Sequence, residues 1–431
     1  MNRKTLIKQL ALGLILTFTL PVKAVYAATN SSSNLPDIQA EAALAMDYET
    51  GEVIYEKDGD SKRYPASCTK LLTGLLLAEN KSKTDDITFT DSAKQQPEYS
   101  ININFMHNSM KVGDTMTADD VMKGLLLFSG NDTAYMIADN VGGSSDGFSD
   151  MMNEKAASLG ATSSHFITAN GLHDENHYTT AYDLSLITKA AFDNDWERSV
   201  MELKDTSIDV NDKKIMLENR NLTLGEDGNI AGKTGHTSQA GGCLAAVYER
   251  DGRKIVGIIL KSKQIDNADM SKFNDMDKIM DYSFSAEKET YMPSNSVVSD
   301  IEVKYKPFIF FGPEKTLNAP VKVTQNVTYY KNNINDADSK IEYDNTSKSA
   351  WQLLGTKDID LTYKTRNHEE KVSGTITVSF GQIFKDNLIT YLAVIVAIII
   401  ILSLIFMLSS LIRNRKRRNN RRRYNYSRRR Y

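Results

Sequence analysis

Three short runs carry side chains suited to nucleophilic catalysis: Ser67-Cys68-Thr69-Lys70, Ser129-Gly130-Asn131 and Lys233-Thr234-Gly235. A serine hydroxyl attacks well only when a neighbouring base takes its proton. At helical spacing, Ser67 and Lys70 lie on one face, one turn apart, with side chains within reach. A lysine serves as that base when burial and a second nearby cation lower its proton affinity. Lys233 is the expected second cation. A helix N-terminus at Ser67 would also turn its backbone N–H toward a developing oxyanion. Ser129 suits proton relay to a leaving amine, and Asn131 suits a hydrogen bond to a substrate amide. A lysine beside a hydroxyl, Lys233 with Thr234, suits a carboxylate. The predicted chemistry is acyl transfer through a serine ester, on a substrate that ends in a free carboxyl group. Each run alone is a weak signal; the three in this order are a strong one.

The elements around these runs are expected to hold them at one cleft. Ala42 to Met46 and Glu52 to Tyr55 read as strands about a Thr50-Gly51 turn. Pro65 precedes a helix carrying Leu71, Leu72, Leu75, Leu76 and Leu77; apolar on more than one face, it should be buried. A second helix starts at Thr117, with Asp120 completing an acidic capping box, and reaches Ser129 at the cleft edge. Further helices are expected over Thr133–Asp139, over Gly147–Leu159 and from Thr180. Lys233-Thr234-Gly235 should open a strand ending at Gly242, where a glycine would let substrate backbone approach the strand edge. Gly242 to Tyr248 and Lys254 to Leu260 read as a hairpin about Asp251-Gly252, and Ala268 to Phe284 as a closing helix. Strands at both ends with helices between them predict one α+β domain whose terminal strands share a sheet. Beyond Glu287, β-branched or alternating runs at Ser296–Tyr305, Val321–Tyr330, Asp358–Lys364 and Lys371–Phe380 predict a smaller all-β domain.

Two features invite other chemistry. Cys68 adjoins Ser67, but it points about 100° away around a helix and lacks the spacing to Lys70. Cys68 and Cys243 make no disulfide framework, and free thiols are expected. His173 and His177, with Asp174 and Asp183 nearby, fall in a polar loop without metal-ligand spacing. Loop rigidity is the better account of them. No metal site and no cofactor are predicted.

The two ends of the 431-residue chain are apolar. Arg3, Lys4 and Lys8, then an apolar run from Leu10 to Leu20, then Val25 and Ala27 have the layout of a signal peptide over residues 1–27. Leu388 to Ile412 is long enough to span a bilayer, since about 20 residues at roughly 1.5 Å each cross its core. The basic tail over residues 413–431 would hold that end in the cytoplasm, as a single-pass anchor with the catalytic domain outside. Anionic lipid is a natural partner of this tail; no feature supports nucleic acid. The net charge of −3 is misleading. Fifteen of the 52 Lys and Arg residues lie in the leader and tail, which carry no acid, so the remainder has 37 basic against 55 acidic residues. A body so acidic must hold an anionic substrate by local positive groups.

Taken together, the three runs resemble those of penicillin-binding proteins and class A β-lactamases. The chain resembles the low-molecular-mass D-alanyl-D-alanine carboxypeptidases. The residues concerned are Pro65-Ala66-Ser67-Cys68-Thr69-Lys70, Ser129-Gly130-Asn131-Asp132, Asn170-Gly171-Leu172-His173, His177-Tyr178-Thr179-Thr180-Ala181 and Lys233-Thr234-Gly235-His236-Thr237. They cover about Leu35 to Phe284. The resemblance implies a β-lactamase/transpeptidase-like α+β domain (28–286), an all-β C-terminal domain (287–384) and a transmembrane helix (388–412). It implies Ser67 as acylated nucleophile, Lys70 as its base and Ser129 as a catalytic residue. Asn131, Lys233, Thr234, Gly235 and His236 would bind substrate, with the Ser67 and His236 N–H groups forming an oxyanion hole. The implied substrate is a peptidoglycan stem peptide ending in D-Ala-D-Ala, and β-lactams would acylate the same serine. Transfer to water is carboxypeptidase activity, and transfer to an amine is transpeptidation. A β-lactamase is a rival, but no Glu-x-x-Leu-Asn segment follows Ser129. An inactive cell-wall-binding protein is another, against which every catalytic position is filled. The long spanning helix suits a Gram-positive envelope.

Overall fold

The computed structural model describes residues 35–103, 110–266, 268–343 and 348–427; the leader over residues 1–27 lies outside them. Strands β1 (Ala42–Asp47) and β2 (Val53–Lys57) pair antiparallel, and β1 also pairs with β9 (Arg253–Ser262), Ala42 opposite Leu260. With β7 (Asn229–Thr237) and β8 (Gly241–Arg250) they make one antiparallel sheet of order β2-β1-β9-β8-β7. The expected union of the terminal strands is thus observed, and β7 is an edge. Asp251 and Gly252 turn the β8–β9 hairpin, both at positive φ, as a primed turn requires.

Both faces of this sheet are covered. Ala42, Leu44, Met46, Val256 and Ile258 join the larger core, which includes helices α1 (Lys70–Asn80) and α5 (Ala181–Asp193). Ala43, Ala45, Ile255 and Ile259 face a second cluster with Phe273, Met276, Ile279 and Met280 of α7 (Ser271–Ser285). Between the strands lie α2 (Ala118–Lys123), α3 (Asn131–Gly142), α4 (Ser145–Ser158) and α6 (Asp195–Met201). The caps predicted at Thr117 and Thr180 form: their hydroxyls accept from Asp120 N–H at 3.1 Å and Asp183 N–H at 3.0 Å.

Three local readings differ from the structure. The catalytic helix is entered through a 3₁₀ turn, Ala66–Thr69, before α1 starts at Lys70. Ser129 lies between a π-helical turn, Gly124–Phe128, and α3, so it is a corner rather than a simple helix end. After the short pair of β3 (Asp86–Thr88) with β4 (Thr115–Thr117), the structure adds a hairpin of β5 (Asp205–Val210) and β6 (Lys213–Glu218). Its signal was the alternation of Ile208, Val210, Ile215 and Leu217 about Asn211-Asp212, both at positive φ.

The all-β region has its own core. Strands β11 (Val297–Tyr305), β12 (Lys315–Val323), β14 (Lys340–Glu342), β15 (Gly355–Lys364) and β16 (Glu369–Val378) form a sheet ordered β11-β12-β16-β15-β14. A second pair joins β10 (Glu289–Met292) to β13 (Val327–Tyr329). The run read as one strand over Val321–Tyr330 is therefore the end of one strand and the start of another. Pro320 obscured the longer β12; it opposes Asp300 of β11, and pairing with β16 begins only at Val321, so its missing N–H spoils no ladder there. Tyr305, Leu317, Val321, Leu361 and Ile376 lie in the core of this sheet. A short helix α8 (Asn333–Asp338) docks on β2, with Asn332 and Asn335 amides donating to the Val53 carbonyl at 2.9 and 2.7 Å. Helix α9 (Phe380–Asp386) leads to α10 (Leu388–Ser427), which is long and apolar enough to cross a membrane and continues past Arg423 without a break.

Candidate active site

The 3₁₀ turn that carries Ser67 is wedged between two glycines. Ala66 sits at φ 48°, a rare conformation for a residue with a Cβ. A Cβ on Gly171 would come within 1.9 Å of the Ala66 carbonyl oxygen, and one on Gly235 within 2.9 Å of the Ser67 nitrogen. Gly235, rather than Gly242, is thus the glycine that allows close approach: it lets edge strand β7 lie against the Ser67 turn. Gly242 belongs to β8, opposite His236.

Lys70 is fully buried on α1. Its Nζ lies 3.0 Å from Ser67 Oγ, 2.7 Å from Asn131 Oδ1 and 2.9 Å from the Asn170 carbonyl oxygen. Burial holds its proton affinity well below the usual lysine range, and Lys233 pushes the same way; Asp132 opposes them. A neutral amine has two N–H groups and one lone pair. Asn131 Oδ1 and the Asn170 carbonyl can only accept, so they take the two N–H groups. The lone pair is left for the Ser67 hydroxyl.

Lys233 Nζ, also buried, donates to Ser129 Oγ at 2.9 Å and to the Thr234 carbonyl at 3.0 Å. Burial lowers its pKa to about 7. Ser129 itself has φ 72°, a second non-glycine residue held in the left-handed region at this site. Ser67, Ser129, Thr234, Gly235 and His236 line a cleft of about 220 Å³, while Lys70 and Lys233 are buried and bond to its two serines. Asn131 meets the set from behind, through Lys70. Arg220 and Lys272 also line this cleft and were not singled out from the sequence. Arg220 Nε donates to the Phe128 carbonyl at 2.8 Å, bracing the corner before Ser129. Neither residue sits in a recognisable run, and each reaches the cleft only through the fold.

Cys68 points away from the cleft, fully buried with Sγ 3.3 Å from the Lys233 carbonyl oxygen; burial pushes its thiol up, and lifts that of Cys243 to about 11. Both cysteines are free. His177 is a brace. Its Nδ1 accepts from Ile167 N–H at 3.0 Å, so Nε2 carries the proton and donates to Thr69 Oγ1 at 2.8 Å. Burial lowers its pKa to about 4, keeping it neutral. The loop is thereby fastened to the catalytic turn.

Comparison with known proteins agrees with this geometry. The profile of the Peptidase_S11 family, described as D-alanyl-D-alanine carboxypeptidase, matches residues 28–264. The D-alanyl-D-alanine carboxypeptidase DacF of Bacillus subtilis is 27% identical over 362 residues, 82% of this chain and 89% of its own. DacC of Escherichia coli is 28% identical over 373 residues, 84% of this chain and 89% of its own. Among solved structures, the Streptomyces K15 DD-transpeptidase has a TM-score of 0.52 at 28% identity, covering 58% of this chain and 99% of that one. A D-alanyl-D-alanine carboxypeptidase from Mycobacterium tuberculosis gives 0.54 at 26% identity, covering 59% and 94%. The profile spans more than half the sequence, so this chain belongs to the D-alanyl-D-alanine carboxypeptidase family.

Proposed function

We propose that Ser67 is the acylated nucleophile of this D-alanyl-D-alanine carboxypeptidase and that Lys70 is its base. The observation that carries the reading is the Lys70 amine, which two obligate acceptors orient so that its lone pair meets the Ser67 hydroxyl 3.0 Å away. The family acts on peptidoglycan stem peptides ending in D-Ala-D-Ala. Here the peptide would lie along the free edge of β7, which adds a strand to the sheet. Lys233 as ammonium, with Thr234, would hold the terminal carboxylate, and Asn131, Gly235 and His236 would align the backbone. As Ser67 Oγ bonds to the penultimate D-Ala carbonyl carbon, its proton passes to Lys70. The Ser67 and His236 N–H groups would stabilise the oxyanion. Collapse breaks the C–N bond, and a proton delivered through Ser129 lets D-Ala leave as an amine. Water then attacks the ester, with Lys70 again taking a proton, and frees Ser67.

A fluorescent penicillin should label the wild-type protein and leave folded Ser67→Ala unlabelled. An unlabelled, folded wild type overturns the assignment. The DD-transpeptidase neighbour raises transfer to an amine as a second outcome. Incubation with a pentapeptide, with and without an amine acceptor, measures that partition as hydrolysed against cross-linked product.

The apolar helix fits membrane anchoring, and the relatives are cell-wall enzymes. Beyond this, we propose export by a leader over residues 1–27 and catalytic (28–286) and all-β (287–384) domains outside the membrane. The spanning segment is 388–412 and the basic tail 413–431 is cytoplasmic, in an envelope of the Gram-positive kind. Eleven Lys and Arg residues from Arg413 onward support this orientation. A fluorescent protein fused after Tyr431 should mature in the cytoplasm, and alkaline phosphatase fused there should stay inactive; the reverse pattern overturns the topology.

A further inference from the structure

The loop between β11 and β12 places bulky apolar side chains in solvent. Ile309, Phe310 and Phe311 are 53%, 78% and 75% exposed. Clusters of this kind on a soluble surface mark interaction sites. The loop is shaped by its own backbone: Phe308 N–H donates to the Phe311 carbonyl at 3.1 Å, and Ile309 N–H to the Lys306 carbonyl at 3.1 Å. Ile309 is held at φ 63°, a conformation that β-branched residues strongly resist. Such outliers persist where the surroundings impose them and tend to serve function.

What covers this tip is indicated by what it is tied to. The Tyr391 hydroxyl, in the first turn of α10, donates to the Pro307 carbonyl at 2.9 Å, and the Phe308 and Tyr391 rings lie 5.3 Å apart. Trp351 Nε1 donates to the Lys306 carbonyl at 2.7 Å, and the Asn387 amide to Tyr305 Oη at 2.9 Å. Phe384 stacks on Tyr391, and Phe380 on Phe384, both phenylalanines being half exposed. The apolar run from Leu388 to Ile412 extends about 37 Å at about 1.5 Å per residue, more than a hydrocarbon core of about 30 Å, so its first turn lies at headgroup level. Aromatic side chains favour that level. The loop shares it, being fastened to that turn.

We propose that the aromatic tip Phe308-Ile309-Phe310-Phe311, continued by Phe380 and Phe384, inserts into the interfacial layer of the leaflet that α10 enters. The inference rests on the membrane-anchor reading above. A single helix leaves the extracytoplasmic body free to tilt; a second, apolar foothold beside it fixes tilt and height, and with them the position of the cleft relative to the bilayer.

Depth measurement on the full chain in phosphatidylcholine–phosphatidylglycerol vesicles tests this. Cys68 and Cys243 are fully buried, so nitroxide labels report introduced cysteines alone. The labelled positions are Phe310→Cys, Phe311→Cys, Met216→Cys on the exposed face of β6 and Leu402→Cys within α10, each variant first confirmed as folded by penicillin labelling. The ratio of collisional relaxation by oxygen to that by an aqueous nickel chelate should be several-fold higher at 310 and 311 than at 216, and highest at 402. A ratio at 310 and 311 equal to that at 216, with 402 lipid-like, overturns the foothold while leaving the anchor intact. A water-like 402 overturns the anchor and the foothold with it. Shielding of 310 and 311 from both reagents means that protein, a second copy or another partner, covers the tip, and this also overturns the proposal.

Discussion

Lysines in the cleft and lysines in the β sheet are treated in opposite ways. Lys70 and Lys233 are taken out of water and bonded to hydroxyl, amide and carbonyl oxygens, and both lose proton affinity. Lys340 and Lys364 lie at the surface against Glu342 at 2.6 and 3.3 Å, and Lys364 also meets Glu369 at 2.9 Å. The proton affinity of Lys364 is raised. Burying an ammonium among neutral oxygens is costly, and the usual relief is to release the proton. Neither Lys340 nor Lys364 bears that cost, since each has a carboxylate beside it at the surface. Lys70 and Lys233 bear that cost at the cleft, one beside Ser67 and the other beside Ser129.

The contrast breaks hardest at Lys70. Lys70→Met keeps the bulk and removes the lone pair, so acylation by a fluorescent penicillin should slow by about 10²–10⁴-fold while the fold is retained. Stopped-flow labelling near the wild-type rate would remove Lys70 as the base.

Lys233→Met should act next. It would remove the proposed carboxylate clamp, so kcat/KM for a pentapeptide should fall by about 10²-fold, more through KM than through kcat. In the wild type, Lys233 loses its ammonium as pH rises through about 7, which sets an alkaline limb on kcat/KM that the variant should lack. Without the Lys233 charge Lys70 binds its proton more tightly, so the acid limb should move to higher pH. An unchanged profile contradicts both assignments. The same shift affects stability. The folded pKa of Lys233 lies below its unfolded value, so between about 7 and the ordinary lysine range the unfolded chain binds more protons. Unfolding free energy should climb there by up to ~1.4 kcal/mol per pH unit, less in Lys233→Met, as followed by denaturant melts.

Gly235→Ala tests the seating of β7 on the Ser67 turn. The new Cβ meets the Ser67 nitrogen at 2.9 Å, so a loss of about 1–3 kcal/mol and slower acylation are expected. Wild-type labelling and melting would show that the contact tolerates a methyl group.

The smallest effect should come from the β region. Arg366 bonds Asp60 of the catalytic part and Asp338 of α8 at the surface. Arg366→Ala should lower stability by at most about 1 kcal/mol and leave kcat/KM unchanged. A marked loss of activity would mean that the β region supports the cleft itself.

Much of the site was legible because its chemistry is local. Ser67 and Lys70 are a turn apart, and Thr117 and Thr180 announced their helices through caps that involve neighbours three residues away. The hairpin at Asp251-Gly252 was legible for the same reason. Elements failed where the local pattern was interrupted, as Pro320 did within β12, or where the turn was unusual, as at Asn211-Asp212. Arg220 and Lys272 stand in no run that marks them, and the Asn170 carbonyl that orients Lys70 comes from a segment 100 residues away.

The amino-acid order alone determined which side chains could react, their helical spacing, the apolar pattern of sheet and helices, and the helix able to span a bilayer. Tertiary structure alone decided that β7 is the open edge, that Gly235 rather than Gly242 meets the nucleophile's turn, and that Ser129 occupies a left-handed corner. It also decided that burial lowers the proton affinity of Lys70 and Lys233. Spacing along a helix is a property of neighbours in the chain, whereas desolvation is a property of everything packed around a group, and only the folded core supplies it.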